Sequence, residues 1–203
     1  EAIGFDADEI EARRARSIET HNAIQEKNRA IQEEARKSTP IDQVWLTACL
    51  NDVMPDDTIY VDEVTSHTGM LRQHLMYTKP QSLFSRQGGL GQGLGLSLGV
   101  KLGAPGRPVC TLIGDGASLY NPVLRALGAA RDYDIPTMAV IFNNKKYYAM
   151  QGMHLKMYPD GTAVETDNFH GTHINGPDLT KIAEAFGAYG EQVEDPEQVR
   201  DAL

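Results

Sequence analysis

Cysteine is scarce in this chain of 203 residues: Cys49 and Cys110 are the only two, far apart and each in apolar surroundings. That excludes a disulfide framework or a cysteine metal site and predicts two buried free thiols. Long apolar runs are missing as well. No stretch of about eighteen apolar residues occurs, so no membrane-spanning helix is predicted, and no secretory leader pattern is present at Glu1, where the sequence opens without methionine. Positive charge is in deficit, with 19 Lys and Arg against 28 Asp and Glu, a net charge of −9 and no basic stripe. Nucleic acid and anionic membrane surfaces are excluded as partners on that ground, and the expectation is a cytoplasmic protein that handles a small molecule. What is present suffices for a core: 41% of residues are hydrophobic and 23% charged.

The charge is unevenly spread. Sixteen charged side chains crowd into residues 1–38, where the spacing is helical but apolar positions (Ile10, Ile18, Ile24, Ile31) are sparse. This segment is expected to be a helical linker or appendage, and residues 39–203 the main domain. From Pro40 onward short apolar strands alternate with helices, at TIYVDEV (58–64), SLFS (82–85), VCTLIGD (109–115), TMAVIFN (137–143) and AYGEQVE (188–194). Helices are predicted in PIDQVWLTACLND, GLGLSLGVKLG, NPVLRALGAARDYD and PDLTKIAEAFGA, the third with Asn121 as its cap and Pro122 at its first position. The pattern predicts an α/β fold: a three-layer sandwich with a mostly parallel central sheet, preceded by a charged N-terminal helix. A last helix, PEQVRDAL, has no strand after it, and both ends look cut.

Ligands of open parallel sheets sit beyond the carboxyl ends of strands, so the loops DEVTSHTG, GDGAS and NNKKYYAM attract attention. In GDGAS a single carboxylate, Asp115, stands between two glycines where backbone amides can approach an anion and the acid can hold a divalent cation. One helix and one strand later come Asn143 and Asn144, whose amide oxygens suit Mg²⁺. A glycine-rich run, RQGGLGQGLGLSLG (86–99), suggests a dinucleotide loop, yet no three of its glycines obey the i, i+2, i+5 spacing, because Leu94 and Leu96 fall where glycine is required. No P-loop pattern occurs either.

The sequence GDG, about thirty residues, then NN resembles the metal and diphosphate signature of thiamine diphosphate enzymes. From about Pro40 onward, four fifths of the chain, the sequence is similar to the diphosphate-binding domain of the benzoylformate decarboxylase and acetolactate synthase group. The resemblance implies Mg²⁺ held by the side chains of Asp115 and Asn144 and by the main-chain carbonyl of Lys146. It implies a cofactor lined by Gly114, Gly116, Ala117, Ser118 and Tyr147, with Thr65 and Ser66 bonding its diphosphate from the other side. Gly88 would accept a hydrogen bond from the cofactor's amino group, and Leu90 would be the apolar wedge beneath the bent cofactor; these two are the candidate catalytic residues. The small residues from Gly91 to Gly99 would let the next helix pack tightly.

The activity so implied is that of a thiamine diphosphate- and Mg²⁺-dependent lyase or carboligase, a decarboxylase or transferase acting on 2-oxo acids or related acyl donors. The glutamate that activates the cofactor is expected on a separate pyrimidine-binding domain ahead of residue 1 or on another polypeptide, in a homo- or hetero-oligomer. This chain alone is therefore predicted to be inactive. The alternative is a non-catalytic structural subunit that retains the fold. Relatives often carry a small residue and then Tyr-Gly after NN, whereas Lys145, Lys146, Tyr147 and Tyr148 follow here, with Ala149 and Met150 where relatives face substrate. His67 and His74 are either acid–base groups or structural ones, Glu63 either reaches the site or is a solvated or hydrogen-bonded strand end, and the FHGTHING loop with His170 and His173 reads as a turn or lid. Trp45 belongs to the core.

Overall fold

The computed structural model describes residues 6–85 and 88–203. Helix α1 (Ala7–Ala35) starts on Asp6, whose side chain accepts from the Asp8 amide at 2.9 Å. Its four isoleucines stay exposed, and only Asn28 and Ala35 are buried, where the helix meets the body of the protein. Helix α2 (Gln43–Val53) is capped by Asp42 and buries Trp45, Ala48, Cys49 and Leu50. There follow β1 (Ile59–Glu63), α3 (Thr68–His74), β2 (Leu83–Ser85), α4 (Gly93–Gly103), β3 (Val109–Gly114), the single turn α5 (Asp115–Ser118), α6 (Val123–Asp132) and β4 (Met138–Phe142). The chain ends with α7 (Tyr148–Met157), α8 (Thr162–Glu165), α9 (Leu179–Ala185), a 3₁₀ turn (Pro196–Gln198) and α10 (Val199–Ala202). No described helix is long and apolar enough to cross a membrane.

The sheet has the order β2-β1-β3-β4 and every pairing is parallel. Alternation along the strands divides the core between two faces. Tyr60, Cys110 and Leu112 point to the side where Leu50 of α2 and Leu71 of α3 complete a cluster. Ile59, Val61 and Val109 point to the other, against Leu96 and Val100 of α4. Helices thus cover both faces, the three-layer arrangement that near-continuous apolar strands require. Burial pushes the Cys49 thiol up to about 11 and that of Cys110 to about 12, which makes both unreactive.

Two local expectations fail. Residues 188–194 form no strand: Tyr189 is exposed, while Val193 leaves the sheet to pack against the Trp45 cluster. Trp45 also donates to the Pro196 carbonyl at 2.8 Å and lies 4.4 Å beneath the Arg200 guanidinium, so tertiary anchoring decides the path of this segment. Asn121, expected to cap α6, leaves that cap to Pro122 because its side chain is engaged elsewhere.

Candidate functional site

Parallel pairing places the carboxyl ends of the strands at one edge. Glu63 is level with Ile113, and Gly114 with Phe142, so the loops after β1, β3 and β4 emerge side by side. Asp115 is the first residue past β3 and is buried. Its Oδ1 accepts from the Gly116 amide at 2.8 Å, and its carbonyl accepts from the Ser118 hydroxyl at 2.6 Å. Its Oδ2 is buried with no hydrogen-bond partner among the described residues. A buried carboxylate oxygen left so is costly unless a donor or cation meets it.

Gly116 closes this turn against Tyr147: a β-carbon there would stand 2.6 Å from two ring carbons of the tyrosine. The Tyr147 ring in turn lies edge-on to Tyr120 at 6.4 Å, and partial burial, then that neighbour, push its phenol above the usual range. Gly114, Ala117 and Ser118 complete the turn.

After β4 the chain bends through two Asx turns, in which Asn143 Oδ1 accepts from Lys145 at 3.2 Å and Asn144 Oδ1 from Lys146 at 2.9 Å. Lys145 has a φ of +55°. The loop expected to be a turn or lid turns at His170–Gly171, where the Thr172 amide donates to Phe169 at 3.2 Å, and then braces the loop after β4. The Tyr147 amide donates to Thr172 at 2.8 Å and Ile174 donates to Lys145 at 3.0 Å, with Lys146 and His173 paired between them. Neither bond uses the carbonyl of Lys146 or that of His173. Among the described residues no three His, Cys, Asp or Glu side chains gather as a metal cage. A cation here would have to combine the Asp115 carboxylate with amide and main-chain oxygens, a donor set that suits a hard ion such as Mg²⁺.

Thr65 and Ser66 are exposed on the loop after β1. His67, next to them, is half-buried with its ring 5.8 Å from that of Phe142, and desolvation holds its pKa below the usual value. His74 does not share this edge environment: it is buried at the end of α3, where its carbonyl accepts from Asn51 at 2.8 Å. Leu90 is exposed, and Gly88 and Gly91 adopt φ values of +92° and +91°, which favour glycine. Arg86 and Gln87 of the same run lie outside the described residues.

Of the readings open for Glu63, the hydrogen-bonded strand end is the one the structure shows. Glu63 is fully buried and accepts from the amides of Gly91 at 2.6 Å, Gln92 at 3.0 Å and Gly93 at 2.7 Å, and from Asn121 Nδ2 at 2.8 Å. Strand parity was the available signal, since Glu63 shares a face with Ile59 and Val61 and so points at the glycine-rich helix.

The edge of this parallel sandwich, with a buried aspartate whose Oδ2 has no partner among the described residues beside a glycine-braced turn, is where an open parallel sheet takes a ligand. The family described as thiamine pyrophosphate enzyme, C-terminal TPP binding domain, matches residues 63–203, and the chain belongs to it. Benzoylformate decarboxylase of Pseudomonas aeruginosa is 28% identical over 170 residues, covering 83% of this chain and 30% of that protein. The acetolactate synthase isozyme 2 large subunit of Escherichia coli is 26% identical over 156 residues, covering 76% of this chain and 27% of that one. Among solved structures, the Rhodococcus jostii thiamine diphosphate-dependent 4-hydroxybenzoylformate decarboxylase superposes with a TM-score of 0.70 at 32% identity, covering 82% of this chain and 31% of that one. The chain thus spans about 30% of the length of these relatives.

Proposed function

We propose that this chain is the diphosphate- and Mg²⁺-holding part of a thiamine diphosphate-dependent lyase or carboligase acting on 2-oxo acids or related acyl donors. The observation that carries the reading is Asp115, buried at a strand end with one carboxylate oxygen unpartnered among the described residues. In this reading Asp115, Asn144 and the Lys146 carbonyl hold the metal. Gly114, Gly116, Ala117 and Ser118, with Tyr147 packed against Gly116, line the diphosphate, and Thr65 and Ser66 bond it from the β1 side. When bound, thiamine diphosphate supplies the electron sink that lets a bond to an acyl carbon break.

The chain's own residues bind and orient. In this reading the Gly88 carbonyl would accept a hydrogen bond from the cofactor's amino group, Leu90 would be its apolar wedge, and half-buried Ala149 and exposed Met150, in the first turn of α7, would border the substrate. The glutamate that starts proton transfer belongs to another domain or chain, and Glu63, the one glutamate at this strand edge among the described residues, supports that assignment. Glu63 already accepts from four donors and is fully buried. Residues 39–203 form the cofactor domain and 1–38 its helical appendage, within an oligomer. Calorimetric titration of thiamine diphosphate into the native assembly, with and without Mg²⁺, tests the reading. Saturable, metal-dependent binding that disappears in Asp115→Ala is expected. Absence of binding in the wild type would leave a structural subunit that keeps the fold.

A further inference from the structure

The amino end of α4 has no local cap: Gln92, at the cap position, makes no side-chain hydrogen bond to the helix. The role passes instead to Glu63, 28 to 30 residues earlier in the chain, whose Oε1 takes the Gly91 and Gln92 amides and whose Oε2 takes that of Gly93. All are neutral N–H donors at a helix N-terminus, where a buried negative charge is favoured. Gly93 is glycine for this reason, because a β-carbon there would lie 2.6 Å from Glu63 Oε2. Oε2 also receives Asn121 Nδ2 at 2.8 Å, and the same amide group donates to the Ala117 carbonyl at 2.9 Å while its Oδ1 accepts from Leu94 at 3.0 Å. A continuous buried network therefore runs from the exit of the Gly88–Leu90 turn, through Glu63 and Asn121, into the Asp115–Ser118 turn. Just past the two turns the backbones also come close, since a β-carbon on Gly91 would stand 2.5 Å from the Tyr120 carbonyl oxygen.

We propose that Glu63, acting through Asn121, is a positioning residue that fixes the Gly88–Leu90 turn relative to the Asp115–Ser118 turn, and so sets the span across which the cofactor is stretched. The proposal rests on the thiamine diphosphate reading above. A cap of α4 alone would not need Asn121 to reach Ala117. Glutamine cannot replace the glutamate, because its NH₂ group would face an N–H donor whichever way it is turned.

The test compares wild type, Glu63→Gln and Asn121→Ala in the native assembly. Amide hydrogen exchange without cofactor comes first. Peptides covering residues 88–94 and 115–118 are expected to exchange about tenfold faster in both variants, with β3 unchanged. With thiamine diphosphate and Mg²⁺ saturating, turnover of whichever 2-oxo acid the wild type converts fastest is expected to fall at least about tenfold, with KM for that acid changed less than about threefold. A purely structural cap would lower thermal stability and leave the turnover of the folded fraction intact. Exchange at wild-type rates in both segments, or turnover within about twofold of wild type, overturns the proposal. Should Glu63→Gln fail to fold, Asn121→Ala carries both measurements. Should the wild type bind no thiamine diphosphate, the cofactor reading fails, while the exchange comparison still decides whether the network couples the two turns.

Discussion

Replacing Asp115 with asparagine should make the protein more stable without metal and blind to its ligands. The carboxylate is buried, one oxygen is bonded to the Gly116 amide at 2.8 Å, and the other has no partner among the described residues. Leaving a buried polar group unpaired costs about 1–3 kcal/mol, and more when it is charged. Asparagine keeps the bond to Gly116 and removes the charge but leaves an unpaired NH₂, so only part of that cost is recovered, about 1 kcal/mol. For a domain of this size that corresponds to a rise in Tm of about 2–4 °C in the presence of a chelator. Thiamine diphosphate and Mg²⁺ at a hundred times their dissociation constant should stabilise wild type by about 2.7 kcal/mol and the variant hardly at all. Thermal unfolding of both proteins in their native assembly, with chelator and with ligands, makes the comparison. If the variant unfolds at a lower temperature than wild type in chelator, or shows the same ligand-induced shift, Asp115 is not a carboxylate waiting for a cation.

Gly91→Ala meets both a φ of +91° and the Tyr120 carbonyl at 2.5 Å, whereas Gly88→Ala meets a φ of +92° in open space. The second should lose about 1 kcal/mol and the first clearly more in denaturant unfolding; equal losses would argue against the close approach of the two turns. Leu112→Ala, at a fully buried position between two neighbouring strands, should cost about 2–5 kcal/mol by the same assay. Burial holds the imidazoles of His67 and His74 below their usual pKa of about 6.5. The unfolded chain then takes up protons more readily than the folded one, so the stability from the neutral rings is present above about pH 6.5 and is lost as the pH falls from there toward the folded pKa. His74→Phe should flatten that acid slope, and an unaltered slope in urea titrations across the same range would remove His74 from the account.

Much of the frame was legible because it depends on neighbours in the chain. Helix α4 runs over the glycine-rich stretch from 93 to 103, as its composition predicts, and four strands lie within a residue or so of their apolar runs. That Asp115 and Asn144 lie at one sheet edge followed from counting one helix and one strand between them, and the parallel register of β3 and β4 brings their two loops to that edge. Where expectations failed, the deciding partner was remote. Asn121 looks like a helix cap in sequence, yet its amide goes to Glu63, 58 residues away. Segment 188–194 has the alternation of a strand but is drawn to the Trp45 cluster instead.

The sequence by itself determined the four strands and the main helices between them, the face each strand residue occupies and the stock of polar side chains at one sheet edge, since these follow from local sterics and from the two-residue and 3.6-residue periods. Only the tertiary structure decided which of those groups remain unsatisfied. Among the described residues Asp115 keeps an unpartnered oxygen, while Glu63, a still more deeply buried carboxylate at the neighbouring strand's end, accepts from four donors. The reason is physical: the partners of a buried polar atom are fixed by how the sheet register and the helix ends bring distant backbone together, and no local pattern encodes that.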